Sequence, residues 1–301
     1  MLCKAILASA VAWMPMAAIQ AATETRSPVY EPSSQWVLDY AEERCTLARN
    51  FGSGDEVILL RIDSFGSEAG FRLTLAGKGV PQPGVPAVVG SYRLTGDPEN
   101  RHAGVFLGTL GENKLPAASL AISFLPYAEI ANGQRMSAVD KQAYLLRRNR
   151  PEPAFDATVD SIRIGFGNKN PSVELHVGNM AKPLEAMQAC IADLYKSWGM
   201  DPQVERSLSR LAEPLPSTLK HVERNYPDEA LMRGLNAIVP VRLLIDANGE
   251  AKTCVVQSPE APAEFKQAVC DNLSGKFAPA LDAAGKPVAS MYNTTVQYLV
   301  H

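Results

Sequence analysis

The feature of the sequence that most constrains its fold is a regular alternation of side chains near the C-terminus. From Val239 to Ile245 every second residue is apolar and lines one face, and the pair Asn248-Gly249 follows at once. A period of two predicts a β-strand with one buried face, and Asn-Gly is a strong signal for a hairpin turn. We therefore expect a return strand from Glu250 to Gln257.

The rest of this region predicts a small domain with a fixed order of elements. Tyr226-Pro227-Asp228-Glu229 has the composition of a helix start, and Gly234 is placed to end that short helix. A second helix is expected from Pro262 to Gly275, because its apolar residues share one face. A final alternating strand is expected from Val288 to Val300. The order is helix, strand, strand, helix, strand.

Residues 30–200 predict a second, larger unit, so the fold class of the whole chain is α+β. We expect a helix from Gln35 to Phe51, because Trp36, Tyr40, Leu47 and Phe51 have helical spacing. Further helices are expected over residues 137–147 and 181–198. Short strands bounded by Gly, Pro and Asn clusters are predicted at residues 56–63, 71–76, 87–94, 104–110, 118–124, 158–166 and 172–177.

The first 21 residues have the pattern of a secretory signal peptide. Lys4 precedes an apolar stretch from Ala5 to Ile19, and cleavage is expected after Ala21. A retained membrane anchor is the alternative, but the stretch is shorter than the roughly 20 residues that span a bilayer and contains Pro15. We expect a periplasmic protein whose mature chain does not span the membrane, divided into a signal peptide (1–21), an α+β domain (22–200), a polar linker (201–225) and a C-terminal domain (226–301).

Cysteine usage agrees with export. Of the five cysteines, Cys3 leaves with the signal peptide, and Cys45, Cys190, Cys254 and Cys270 remain. An even number in an exported chain suggests disulfides, and four cysteines allow three pairings. The economical pairing keeps each bridge inside one predicted domain, Cys45 with Cys190 and Cys254 with Cys270.

The composition gives little support to other classes of function. The formal charge of −3 lacks the basic excess of a nucleic-acid-binding protein. His102, His176, His221 and His301 are far apart and form no metal-binding motif. No catalytic motif rises above chance, so we expect no catalytic residues, no metal and no cofactor.

The C-terminal region resembles the C-terminal domain of TonB, the energy transducer of Gram-negative outer-membrane uptake. The matching features span residues 226–301: Tyr226-Pro227 with Ala230 and Gly234, Val239-Pro240-Val241-Arg242, Asp246-Ala247-Asn248-Gly249, the helix containing Phe265, Phe277-Ala278-Pro279-Ala280, Gly285-Lys286-Pro287-Val288 and Val296-Gln297-Tyr298. Cysteines at positions 254 and 270 also resemble a recurrent variant of the family with a strand-to-helix bridge.

The resemblance implies a three-stranded antiparallel sheet and a way of binding. In the transducer, the last strand pairs with an extended peptide of an outer-membrane receptor, which is recognition by β-addition. The candidate peptide-binding residues here are Thr294, Thr295, Val296, Gln297 and Tyr298. The implied partner is an envelope protein or an outer-membrane receptor peptide, with a link to TonB-dependent transport. Alternatively, the N-terminal domain or a second copy of the chain covers this edge.

The rest of the chain departs from the transducer. A transducer has an N-terminal membrane helix and a long proline-rich rod, whereas the 22 prolines here are scattered and the leader resembles a cleaved signal. Energy transduction is therefore not predicted. Two other interpretations stay open: an enzyme with its active site in residues 30–200 and a C-terminal docking module, and a structural envelope protein that self-associates through the terminal strand.

Overall fold

A computed structural model describes residues 27–66, 70–82, 84–131, 138–148, 150–167, 172–258 and 261–300. The predicted signal peptide and its cleavage point lie outside these residues. The described residues contain both helices and strands, which confirms the α+β class.

One large sheet forms the framework of the N-terminal part. Its ten described strands are β1 (Val29–Tyr30), β2 (Val37–Tyr40), β3 (Cys45–Phe51), β4 (Ile58–Ser64), β5 (Gly70–Ala76), β6 (Ala87–Leu94), β7 (Arg101–Leu110), β8 (Leu115–Ser123), β9 (Ile162–Gly165) and β10 (Val173–Leu175). They lie in the order β1-β10-β9-β6-β7-β8-β5-β4-β3-β2. Neighbours are antiparallel except β1 and β10. The seven strands predicted in this part of the sequence are all present, as β4 to β10.

One face of this sheet packs on a long helix. The helices of this part are α1 (Tyr127–Ala131), α2 (Ala138–Arg148), α3 (Pro153–Asp156) and α4 (Ala181–Ser197), and α2 and α4 match the two predicted helices closely. The apolar stripe of α4 includes Leu184, Met187 and Ile191, which are buried in one core with the inward side chains of the strands. The disulfide Cys45–Cys190 joins β3 to α4 within that core.

The predicted helix from Gln35 to Phe51 is wrong. This segment forms β2 and β3, which pair with each other and with β4. Leu47 and Phe51 are four residues apart, a spacing that fits both a helix and every second residue of a strand. Pairing with β4 decides between the two, because Leu47 lies opposite Ile62 and Phe51 lies opposite Ile58 in the sheet.

The predicted linker is structured. It contains α5 (Pro202–Ser207), the short strand β11 (Glu213–Pro214) and α6 (Pro216–Arg224). β11 pairs with β14 (Phe277–Ala278), and Leu208 is buried in the C-terminal core. The connection therefore packs against the C-terminal domain through Leu208, β11 and α6.

The C-terminal domain has the predicted order of elements. Its helices are α7 (Asp228–Met232) and α8 (Ala263–Leu273), and its main strands are β12 (Ala237–Ile245), β13 (Ala251–Val256) and β17 (Ser290–Tyr298), with the short strands β14, β15 (Ala280–Leu281) and β16 (Pro287–Val288) between α8 and β17. The three main strands form an antiparallel sheet in the order β13-β12-β17. Phe265, Val269 and Leu273 of α8 are buried in the same core as one face of β12. The disulfide Cys254–Cys270 links β13 to α8, so both bridges match the economical pairing.

β12 is more buried than a strand with one covered face. The side chains from Val239 to Leu243 are all buried, including Arg242. Val239, Val241 and Leu243 face α8, whereas Leu244 on the other face packs against the N-terminal core. The second face is covered because the two domains pack together, which the alternation in the sequence does not reveal.

Candidate functional site

The terminal strand β17 lies at an edge of the C-terminal sheet. Its register with β12 runs without a break from Ala237 opposite Tyr298 to Ile245 opposite Ser290. In the described part of the chain, no strand pairs with the other side of β17. An edge strand presents backbone N–H and C=O groups that can bind another strand.

Two hydrogen bonds show which backbone groups of β17 face outward. The Pro240 carbonyl, opposite Thr295, accepts a hydrogen bond of 2.9 Å from the Gln257 N–H on the β13 side. The Met291 N–H donates to Glu205 Oε1 at 2.9 Å instead of to β12. Bonded and non-bonded pairs alternate along an antiparallel ladder. The outward-facing residues are therefore Met291, Asn293, Thr295 and Gln297.

The outward edge faces a cleft between the two domains. The cleft has a volume of about 450 Å³, within the range of ligand-binding sites, and its far wall includes Arg72 of β5 with Ser119 and Ala121 of β8. Small side chains on these strands leave space between the wall and β17. A second cavity of about 250 Å³ shares Phe106, Ser119 and Ile238 with the first, so the opening continues toward the C-terminal end of β17.

The five residues predicted from the resemblance occupy two different positions. Thr295 and Gln297 present their backbone groups to the cleft, whereas Thr294, Val296 and Tyr298 present theirs to β12. The Tyr298 side chain is buried and packs against Tyr226 and Phe265. Met291 and Asn293 complete the outward row. The sequence did not indicate these two residues. The alternation of apolar side chains shows which of them face the core, but not which backbone N–H and C=O groups point away from β12.

Arg72 on the far wall contacts the edge strand directly. Its Nη2 donates to Thr295 Oγ1 at 3.0 Å, and its guanidinium lies over the Phe65 ring, 5.3 Å from the centroid. Burial lowers the pKa of Arg72 to about 10, and the nearby Asp63 carboxylate opposes that shift. Arg72 is therefore still cationic at neutral pH and already has a carboxylate nearby.

Glu205 reaches the edge from the connection between the domains. Asp201 caps α5 by accepting a hydrogen bond from the Gln203 N–H at 2.8 Å, and Pro202 and Leu208 are buried on either side. These contacts hold Glu205 against the Met291 N–H. Desolvation in the cleft raises the pKa of Glu205 to about 7, which the hydrogen bond from Met291 partly opposes.

A charged clamp fixes the C-terminal domain to the N-terminal domain. Arg242 forms two-pronged hydrogen bonds of 2.8–3.1 Å with the Glu43 carboxylate, 199 residues away in sequence. Its guanidinium stacks on Trp198, 4.3 Å from the ring centroid. Gln257 adds hydrogen bonds to the carbonyls of Glu43 and Phe65, at 3.1 and 3.3 Å. These contacts set the position of β17 relative to the far wall.

The histidines are not gathered at this cleft. His102 lies on β7, His176 just after β10 and His221 on α6, whereas His301 lies outside the described residues. Within the described ranges, no group of three His, Cys, Asp or Glu side chains is arranged to hold a metal ion. Of the helices in these ranges, none has the length and apolar composition needed to cross a membrane.

Comparison with known families agrees with the architecture of the last 80 or so residues. Residues 222–299 match the family described as Gram-negative bacterial TonB protein C-terminal. This segment is a TonB C-terminal domain. The match covers about a quarter of the chain, and residues 27–200 lie outside it. No curated protein and no solved structure matches the chain. The match supports an interaction role in the Gram-negative envelope for this segment.

Proposed function

We propose that the protein is exported to the periplasm and binds an extended segment of another envelope protein by adding it as a strand to the outward edge of β17. The observation that carries the proposal is the row of backbone groups from Met291 to Gln297, which opens into a cleft. Strand addition supplies affinity through main-chain hydrogen bonds and specificity through the surrounding side chains.

The position of the cleft also supports a role in binding. The far wall brings a sheet within reach of the added strand, so a bound segment contacts both domains. The N-terminal domain would then contact those side chains of the bound segment that β17 does not contact. Coupling to TonB-dependent transport would follow if the bound segment belongs to an outer-membrane receptor.

A pair of substitutions at Gln297 tests strand addition. Gln297 is exposed and its N–H faces the cleft, so Gln297→Pro removes an edge donor and leaves the ladder with β12 intact. Gln297→Ala keeps the donor and is the matched control. The ligand is a synthetic octapeptide of alternating Thr and Val. We expect the proline variant to bind it roughly tenfold more weakly than the alanine variant, because one hydrogen bond is lost and the proline ring obstructs the edge.

Backbone amide spectra complete the test. On addition of the peptide, the N–H signals of Asn293, Thr295 and Gln297 should shift, and those of Thr294 and Val296 should shift less. Unchanged signals at saturating peptide would refute strand addition. Sedimentation at increasing protein concentration separates this proposal from self-association, because a second copy on the edge would make the sedimentation coefficient rise.

A further inference from the structure

The described residues that line the cleft beside β17 include more acidic than basic side chains. Among the described residues that line it, the charged ones are Asp63, Arg72, Glu205 and Glu213, so three carboxylates accompany one guanidinium. An excess of one sign in a narrow, partly desolvated cleft favours a partner of the opposite sign.

Two of the three carboxylates have partners in the protein. Asp63 accepts hydrogen bonds from Thr46 at 2.6 Å and from Arg61 at 3.1 Å. Glu213 accepts one from Gln142 at 3.0 Å. Arg72 is held near Asp63 and Thr295, and Thr295 is four residues, or about 13 Å, along the strand from Met291.

Glu205 is different because its partner is the edge itself. In the described part of the chain it accepts a hydrogen bond from the Met291 N–H and forms no ion pair. An added strand would bring its own carbonyl to that N–H. Glu205 would then lose this hydrogen bond while remaining in the cleft, and its ionised form is costly there without a partner.

We propose that the cleft selects a peptide with a Lys or Arg side chain at the Met291 end, where Glu205 exchanges its hydrogen bond from Met291 for an ion pair with that side chain. The inference rests on the proposed strand addition and names the chemistry of the partner. A strand bound to the edge lies about 4.8 Å from β17, which places its side chains beside Glu205. The cation compensates the carboxylate that the peptide displaces.

Three matched peptides test the proposal on the full chain. They are acetylated, amidated octapeptides of alternating Thr and Val in which one Thr is replaced by Lys, by norleucine or by Glu. We expect the Lys peptide to bind at least about tenfold more tightly than the norleucine peptide, and the Glu peptide to bind most weakly. In Glu205→Gln, which keeps an acceptor for the Met291 N–H, the preference for Lys should fall to within about twofold.

A surface acid provides the control. Glu185 on α4 is exposed and pairs with Lys182, away from the cleft, so Glu185→Gln should keep the full preference. Equal binding of the three peptides, or a preference that survives Glu205→Gln, would overturn the inference. If the peptides shift the β17 amides without charge preference, strand addition stands and the role of Glu205 fails. If a Glu205-dependent preference appears without such shifts, the peptide pairs with Glu205 away from the edge, and both strand addition and the exchange at Met291 fail.

Discussion

The Arg242–Glu43 clamp makes a sharp prediction about how the two domains are held together. The Arg242 side chain is 8% exposed and that of Glu43 is 20% exposed. Breaking a buried pair by removing one partner costs about 3–5 kcal/mol, and the exposure of Glu43 favours the lower end. Losing the stacking on Trp198 adds about 1 kcal/mol. We therefore expect Arg242→Ala to lower the free energy of unfolding by about 4 kcal/mol.

Urea unfolding followed by tryptophan fluorescence measures this loss, because Trp198 lies directly under the guanidinium. Arg242→Lys keeps the charge but not the two-pronged geometry, and we expect it to lose about 2 kcal/mol. Glu43→Gln completes a double-mutant cycle with Arg242→Ala. The coupling energy of the cycle should be about 2 kcal/mol, because the two groups contact each other directly.

Arg233 provides the control within the same domain. It pairs with Glu264, but its side chain is 62% exposed, and surface pairs contribute less than about 1 kcal/mol. If Arg242→Ala costs no more than Arg233→Ala, the clamp does not stabilise the domain interface. A coupling energy near zero in the cycle would contradict the reasoning independently.

Three further predictions concern other parts of the molecule. Replacing both Cys45 and Cys190 by Ala removes a disulfide that joins residues 145 positions apart. We expect the free energy of unfolding in urea to fall by about 5 kcal/mol, and a fall of less than about 2 kcal/mol would contradict this. Because the pKa of Glu205 in the folded state is raised to about 7 from its ordinary value of 4.5, the folded state binds more protons between these pH values, and stability falls as pH rises through this range. Relative to Glu205→Gln, the wild type should lose about 1–3 kcal/mol between pH 4 and 8, and a parallel pair of stability curves would refute this. Gly249→Ala should cost at least about 3 kcal/mol by thermal unfolding, because φ is +77° and a Cβ would lie 2.0 Å from a backbone oxygen. Gly285→Ala, with φ +78° and open space, should cost about 1 kcal/mol, and equal losses would show that the close approach is unimportant.

The C-terminal domain was predictable because its signals are local. The Asn248-Gly249 turn works through residues next to it: Asp246 Oδ1 accepts hydrogen bonds from the N–H groups of Asn248 and Glu250, both at 2.9 Å. The apolar residues of β12 recur with the two-residue repeat of a strand, and those of α8 recur with the repeat of a helix. Each element can therefore be recognised from its own residues.

The segment from Gln35 to Phe51 shows where local patterns stop being sufficient. Its apolar spacing fits a helix and a strand equally, and pairing with β4 decided the outcome. The row of outward backbone groups on β17 is a related case. Which residues belong to this row depends on which residues of β12 form hydrogen bonds with β13, so the row can be identified only when the register of the whole sheet is known.

By itself, the sequence determined the α+β class, the order of elements in the last 76 residues, the favoured disulfide pairing and, through the family resemblance, a candidate binding strand. Only the tertiary structure decided what surrounds that strand. Arg72, Glu205 and Glu43 come from segments far apart in the chain, and none belongs to a recognisable motif. Their roles arise because docking of the two domains brings them to β17 and its sheet, and the packing energy that drives docking is spread over many residues rather than encoded in any short pattern.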